Sequence, residues 1–283
     1  SSDLLHRAAR TSSRSLSPGP SSVKIPVRGV LAALCAATAI AACGGKSDDE
    51  LISSAKSYLA KGDEKAAIIQ LKNVLANKPE QAEARFLLGK ALLRDDLPTL
   101  AVLELGKALE LGHAKSQTIP LLAKAMSGAG QSRKLIEQFA ETSFDDPAAT
   151  AELKLALATA YAQQGDEAKA TAAAREAIAK APDLPAVQVT QARMLTAEGK
   201  LDESLALLSR VTQADPNNAE AWFHTGDALL RARGDVKGAL QALDKAIAAQ
   251  PKYMAAHSTA IGLLLTQGDT KTAAARLDQM RKL

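Results

Sequence analysis

A unit of two adjoining helical segments, clearest between Ala151 and Pro182, recurs along most of this chain. Its first segment carries apolar side chains at helical spacing as far as Gly165, and its second is striped with alanine up to the proline. Proline lacks a backbone donor and clashes with the preceding turn, so the second helix ends there. Neither helix could bury its apolar stripe alone, and the unit recurs with a period near 34 residues. The period therefore predicts an all-α chain of stacked helix pairs.

Equivalent positions of the units align along the chain. A glycine ends the first helix in five units: Gly62, Gly130, Gly165, Gly199 and Gly268. A small residue stands within each first helix: Ala55, Gly89, Ala123, Ala158, Ala192 and Gly226. A proline closes most units: Pro79, Pro147, Pro182, Pro216 and Pro251. A small side chain at a fixed place predicts that two helix backbones approach closely there.

This pattern resembles the tetratricopeptide-repeat (TPR) family, in which a bulky residue, Leu-Gly, Tyr, Ala, Phe, Ala and Pro recur over one repeat. The sixth unit matches it most fully, at Trp222, Gly226, Ala239, Leu243, Ala246 and Pro251. The resemblance covers about residues 48–283 and implies a right-handed α-solenoid of about seven repeats. The repeats start near residues 48, 82, 116, 151, 185, 219 and 254. A fold of this kind implies no chemistry by itself.

Two units depart from the pattern. In the third, about residues 116–147, Leu135 replaces the usual small residue and Pro120 falls in the first helix, where we expect it in the first turn. We therefore expect a local irregularity there. The seventh unit begins near Met254 and is expected to reach Leu283 inside its second helix, without the polar capping helix that normally closes such arrays. Either the array continues in a longer parent protein or its end is frayed, and we favour a truncated copy of a longer array.

The N-terminal 42 residues have a different composition. Residues 1–22 are rich in Ser, Arg and Pro, lack periodicity and are expected to be disordered. No Met begins the chain, so either translation starts at Val23 from a GTG codon or the first residue is a fragment boundary. From Val23 the pattern is typical of a bacterial secretion signal, with Lys24 and Arg28 before the apolar run Gly29–Ala42. That run is shorter than the roughly 20 residues that span a bilayer.

The end of the apolar run, Ile40-Ala41-Ala42-Cys43, resembles the lipobox of bacterial lipoproteins. The resemblance implies a diacylglyceryl group on Cys43, cleavage before it, and, because residue 44 is glycine, an outer-membrane location. Gly44-Gly45-Lys46-Ser47 copies the tail of a phosphate-binding loop but has Ile40 where that loop needs a glycine. We therefore divide the chain into a leader with a signal peptide (1–42), a polar tether (43–47) and a repeat array (48–283).

Charge and composition exclude several functions. The formal net charge is +4, but five basic residues and one acid lie in residues 1–42, which leaves 30 residues of each sign in the rest. An array without net charge does not favour nucleic-acid binding. Both cysteines, Cys35 and Cys43, lie outside the repeats, so a disulfide framework is excluded there. The histidines of the array match no metal-site spacing, and His224 and His257 are expected at the surface or in a groove. We predict no enzyme activity, no cofactor and no metal.

One position of the first helices carries a recurring positive charge. The residue after the small one reads Lys56, Lys90, Lys124, Thr159, Arg193 and Asp227. The TPR resemblance implies that this position points into a concave groove, with steps of about 10 Å. Arg94 and Arg231 lie one turn further along. Either the groove binds an anionic partner (a C-terminal carboxylate, an acidic peptide or an acidic polysaccharide), or these charges are paired with Glu83, Glu152 and Glu220.

A lipobox before an alanine-rich array resembles the TPR lipoproteins of the PEP-CTERM/exosortase system. Cys43-Gly44 and the segment 51–79 carry the resemblance. It implies a periplasmic scaffold, anchored in the outer membrane, for exopolysaccharide export or surface-protein sorting. A type IV pilus assembly lipoprotein (a secretin pilotin) is the alternative, and the gene neighbourhood would separate the two.

Overall fold

The computed structural model describes residues 47–282, and these form fourteen α-helices joined by short turns. All belong to one compact unit, Lys46–Leu283. The helices are α1 Asp48–Lys61, α2 Glu64–Asn77, α3 Ala82–Arg94, α4 Pro98–Glu110, α5 Lys115–Gly128, α6 Ser132–Phe139, α7 Pro147–Gln163, α8 Glu167–Lys180, α9 Pro185–Ala197, α10 Leu201–Ala214, α11 Ala219–Arg233, α12 Val236–Ala249, α13 Met254–Thr266 and α14 Thr270–Met280. They form seven successive pairs, which confirms the predicted α-solenoid.

The turn inside each pair contains a residue in the left-handed backbone conformation. The five predicted turn glycines have φ between 73° and 78°, a conformation that glycine adopts without steric cost. The next residue often caps the second helix, as Asp166 does by accepting a hydrogen bond from the Lys169 amide at 3.1 Å. In the second pair Asp96 stands at the glycine position with φ of 61°. The turn geometry is therefore kept there without glycine.

Small residues let the two helices of a pair approach closely, as predicted. Five of the six predicted small positions are buried, and Ala158 is half-buried. A Cβ atom added to Gly89 would lie 2.5 Å from Leu105 Cγ, and one added to Gly226 would lie 3.2 Å from the Ala239 carbonyl oxygen. At these two glycines the backbone of the first helix therefore packs directly against the second helix, with no room for a larger side chain.

The third pair is irregular, as expected, but not in every detail. Helix α6 has eight residues, whereas its neighbours α4 and α8 have 13 and 14. Leu135 is fully buried in it. The placement of Pro120 was predicted wrongly, because it lies inside α5, beyond the first turn. A proline there removes one intrahelical hydrogen bond.

The core is continuous in the first half of the array and divided in the second. One buried cluster, rich in leucine and alanine, extends from Leu51 in α1 to Ala160 in α7. Three smaller clusters follow, centred on Val187, Val189 and Leu243.

The ends of the chain are described only in part. Helix α14 ends at Met280, whereas the pattern predicted a helix reaching Leu283. None of the helices in residues 47–282 is long and apolar enough to cross a bilayer. The predicted leader, Cys43 and most of the tether lie outside the described residues.

Candidate interaction groove

The first helices of the pairs form one layer of the array. From α1 to α11, each first helix contacts the first helix of the next pair, whereas successive second helices share no comparable contact within residues 47–282. Helices on the inside of a curve lie closer together than those on the outside. The array therefore curves toward its first helices, and these line the concave side, which we call the groove.

One ion pair joins two distant repeats. Lys252 Nζ lies 3.2 Å from Asp95 Oδ1, although 157 residues separate them. Asp95 follows α3, and Lys252 precedes α13, so the second pair meets the start of the seventh. Lys252 is 40% exposed and Asp95 19%. The second and seventh pairs are therefore linked by a side-chain contact.

The predicted basic residues of the N-terminal repeats lie on the groove side of the first helices. Lys56 Nζ on α1 lies 2.6 Å from Glu83 Oε1 on α3, which links two neighbouring first helices. Lys90 and Lys124, on α3 and α5, both act on the carboxylate of Glu152 on α7. The structure therefore brings these side chains into one row across four helix pairs.

The carboxylates offered as alternative partners neutralise this row only in part. Lys56 is paired, but Lys90, Lys124 and Arg193 have no acidic oxygen within 4.0 Å among the described residues. Glu152 is exposed as a whole residue, but partial burial of its carboxyl group raises its pKa, by more than Lys124 lowers it. The structure therefore combines the two alternatives. Lys56, at the N-terminal end of the row, is paired with an acid, whereas the cations that follow it keep their charge for a ligand.

The two arginines one turn further along are engaged with the protein itself. Arg94 Nη1 donates to the Leu59 carbonyl oxygen at 2.9 Å and lies 4.0 Å from Glu64. Arg231 Nε lies 3.1 Å from both oxygens of Asp227 on the same helix. Among the six predicted groove residues, Lys90, Lys124 and Arg193 are therefore the ones with charge left for a ligand.

The C-terminal repeats add an aromatic cluster that the sequence did not predict. Phe223 packs against Tyr253 with ring centroids 5.4 Å apart, and against His224 at 5.1 Å. Burial lowers the pKa of His224 to about 4, helped by Arg193, so its imidazole is neutral at pH 7. Burial and Glu220 raise the pKa of Tyr253 to about 12. This end of the groove therefore combines aromatic rings with Arg193 and with two acids, Glu220 beside Tyr253 and Asp227 beside His224.

A second feature missed by the sequence explains the position of His257. The side chain six residues after a closing proline donates a hydrogen bond to that proline's carbonyl oxygen: Arg85 to Pro79, Trp222 to Pro216 and His257 to Pro251, at 2.9–3.0 Å. A carbonyl oxygen only accepts, so His257 carries a proton on Nε2. The prediction of a surface or groove role for His257 is wrong, because its side chain is buried in this structural contact.

No group of three metal-ligating side chains gathers anywhere in residues 47–282. The groove instead offers cations, a partly dehydrated carboxylate and aromatic rings. These groups suit recognition of an extended chain by charge and by apolar contact.

Paired antiparallel helices that stack into a curved array define an α-solenoid repeat protein. A family model described as tetratricopeptide repeat matches residues 53–116 and 189–253, and a second of the same description matches residues 230–283. Together they match more than half of the chain, which thus belongs to the tetratricopeptide-repeat family.

Solved structures share the fold at low sequence identity. A tetratricopeptide repeat protein from Parabacteroides merdae is 16% identical with a TM-score of 0.53, and the alignment covers 84% of this chain and 93% of that one. A human IFIT1 dimer with PPP-AAAA is 18% identical with a TM-score of 0.55, covering 82% and 60%. The Cut9 and Hcn1 hetero-tetramer of APC/C is 13% identical with a TM-score of 0.59, covering 80% and 44%. No curated protein matches the sequence.

Proposed function

We propose that this protein is a non-enzymatic scaffold whose groove binds an extended segment of a partner protein. The observation that carries the proposal is the set of cations without acidic partners, Lys90, Lys124 and Arg193, on the helices that line the groove. The segment carries acidic side chains toward the N-terminal repeats and an apolar residue toward Phe223 and Tyr253.

The chemistry of the groove supports this polarity. Lys90 and Lys124 occupy equivalent positions of neighbouring repeats, about 10 Å apart if their helices pack at the usual distance. Alternate side chains of an extended strand are about 7 Å apart and point to one side, so acidic residues two or four positions apart can meet both lysines. Glu152, whose pKa is raised, stands between them and the aromatic end. It disfavours a second acid there and selects for a cationic or neutral residue.

The proposed location rests on the N-terminal sequence. Ile40 to Cys43 supplies a lipobox after an apolar run, and a lipidated Cys43 would hold the array at the periplasmic face of the outer membrane. Stable anchoring takes more than one acyl chain, which a lipoprotein has. Intact-mass spectrometry of protein from membranes tests this: an unmodified Cys43 at the mature N-terminus contradicts it.

The proposed pathway, exopolysaccharide export or exosortase-linked surface assembly, rests on the resemblance of Cys43-Gly44 and residues 51–79 to that group of lipoproteins. Exopolysaccharide and exosortase genes beside this gene would support the assignment. Secretin genes there would point instead to pilus assembly.

Charge reversal tests the groove. The probe is a fluorescent peptide with alternating aspartates, one phenylalanine and a free C-terminus, and its anisotropy is measured at low salt. We expect Lys90→Glu with Lys124→Glu to weaken binding at least tenfold. The control, Lys180→Glu with Lys237→Glu, makes the same charge change on exposed second-helix positions and should keep affinity within twofold.

Three outcomes contradict the groove assignment. They are equal affinity of the two double variants, failure of the wild type to bind the peptide at all, and tighter binding of an adenine oligonucleotide than of the peptide. Variants are compared at matched folded fraction from circular dichroism melts, because Lys90 is half-buried.

A further inference from the structure

Large apolar side chains stand exposed on the outer faces of α2 and α4. Ile69 is 58% exposed on α2, and Leu103, at the equivalent position of α4, is 51% exposed. Leu100 on α4 and Leu111, directly after the helix, extend this surface. We call the exposed faces of α2 and α4 the outer patch.

The outer patch is confined to the first two pairs. The position of Ile69 and Leu103 is occupied by Glu137, Ala172, Ala206 and Gln241 in later second helices. The exposed residues of α8, α10 and α12 include no large apolar side chain. The patch is therefore not a general property of this array.

The charge of the outer patch is positive. Its exposed charged residues are Lys65, Lys72, Lys107 and one acid, Glu110. None of these three lysines lies within 4.0 Å of an acidic oxygen in the described part of the chain. Apolar side chains flanked by lysines suit an anionic phospholipid surface, where the former enter the interface and the latter meet phosphates.

A cleft continues the outer patch toward the third pair. Because α6 is short, a space of about 610 Å³ opens between α4 and α6. Leu109, Met126 and Phe139 line it, with Lys107 and Lys134 among the polar groups. The cleft therefore has the same chemistry as the outer patch, with apolar side chains beside lysines.

The anchor proposed above would hold the outer patch close to a bilayer. Cys43 lies five residues before Asp48, so the tether reaches at most about 18 Å. Asp48 accepts a hydrogen bond from Asn77, the last residue of α2, at 3.1 Å. Ile69 lies eight residues before Asn77, about 12 Å along the helix. The anchored end and the outer patch thus belong to the same edge of the array.

We propose that the outer patch rests on the anionic membrane surface to which Cys43 is attached, so that the groove faces away from the bilayer. This rests on the proposed lipidation of Cys43. It adds an orientation, in which the partner approaches from the aqueous side.

A fluorescent probe at Leu103 tests the contact. In the mature lipoprotein Cys35 is removed and the Cys43 thiol is blocked, so Leu103→Cys carries the one free thiol. Ala206→Cys, at the equivalent position of α10, is the matched control. Each protein is labelled, reconstituted in phosphatidylethanolamine and phosphatidylglycerol vesicles, and exposed to brominated lipid. We expect at least twofold quenching at residue 103, none at residue 206, and loss of quenching with Lys72→Glu and Lys107→Glu.

The two proposals fail in different ways. A mature protein without the diacylglyceryl mass, labelled also at Cys43, refutes the anchor. A lipidated, vesicle-bound protein whose residue 103 is quenched no more than residue 206 refutes the membrane contact. Disulfide-linked dimers of the unlabelled Leu103→Cys protein, without quenching of the labelled one, also refute it and assign the outer patch to a second copy.

Discussion

The first half of this array shares one core, whereas the second half is divided into small ones. The cluster from α1 to α7 is built of leucine, isoleucine and valine together with alanine. In α8 the four buried residues are all alanine, and α12 buries Leu243 among alanines. A repeat protein is stabilised by each repeat and its interfaces with its neighbours. Interfaces built from alanine bury less apolar area than those built from leucine. We therefore expect the N-terminal half to be the more stable one and the C-terminal half to open first.

The largest expected effect comes from one leucine in each half. Leu105 and Leu243 occupy the same position of α4 and α12, with exposures of 0% and 1%. Leu105→Ala should lower the free energy of unfolding by about 2–5 kcal/mol and affect the whole N-terminal half. Leu243→Ala should speed amide exchange only in α11 to α14, as read by mass spectrometry. Equal acceleration in α1 to α6 would show that the halves are not separate.

Acid should open the C-terminal half through His224. The unfolded imidazole takes up a proton near pH 6.5, but the folded one, whose pKa is about 4, does not. Stability is therefore complete above pH 6.5 and falls as pH decreases toward 4, by about 2–3 kcal/mol. In a plot of the urea unfolding midpoint against pH, His224→Gln should reduce the slope between pH 6.5 and 4. Burial also lowers the pKa of His113, so a smaller slope should remain, and an unchanged slope would contradict the assignment.

Two glycines in the first half separate helix propensity from packing. Gly106→Ala meets nothing within 4 Å and should stabilise by about 0.5–1 kcal/mol, because alanine is the better helix former. Gly89→Ala gains the same propensity but overpacks against Leu105, at a cost of about 1–3 kcal/mol. Melting temperatures should move in opposite directions. A rise in both would mean that Leu105 moves aside freely.

The smallest effect concerns the contact between the two halves. Lys252→Ala removes the ion pair with Asp95, which is partly exposed, so it should cost less than about 1 kcal/mol. The distance between spin labels at the exposed residues 99 and 255 should nevertheless broaden, since no other ion pair or side-chain hydrogen bond in residues 47–282 spans so many repeats. An unchanged distribution would mean that packing alone sets the curvature.

Much of this fold follows from the 34-residue period, because each helix pair is specified locally. Glycine at the turns and small residues at helix crossings have the same physical role in every repeat, so the pattern can be recognised without a structure. Asp96 shows the limit of that logic, since it adopts a glycine conformation that its residue type does not reveal. The position of Pro120 within α5 was predicted wrongly because no strong capping residue marks the start of that helix.

The site was less predictable than the fold. The positions of Lys90 and Lys124 follow from the repeat, but their lack of acidic partners depends on side-chain geometry. His257 could have been assigned from its place six residues after Pro251, which matches that of Trp222 after Pro216. The contact of Lys252 with Asp95 depends on the summed rotation of all intervening pairs, which no local pattern encodes.

Site-specific photocrosslinking in living cells tests the central claim, that the first-helix face binds the partner. A photoreactive residue is placed at Thr159, at the groove position of α7, or at Arg210, exposed on the second helix α10. The groove position should give one discrete crosslinked partner that disappears with Lys90→Glu, while residue 210 gives none. Crosslinking of the same partner from residue 210, with none from residue 159, would contradict the account.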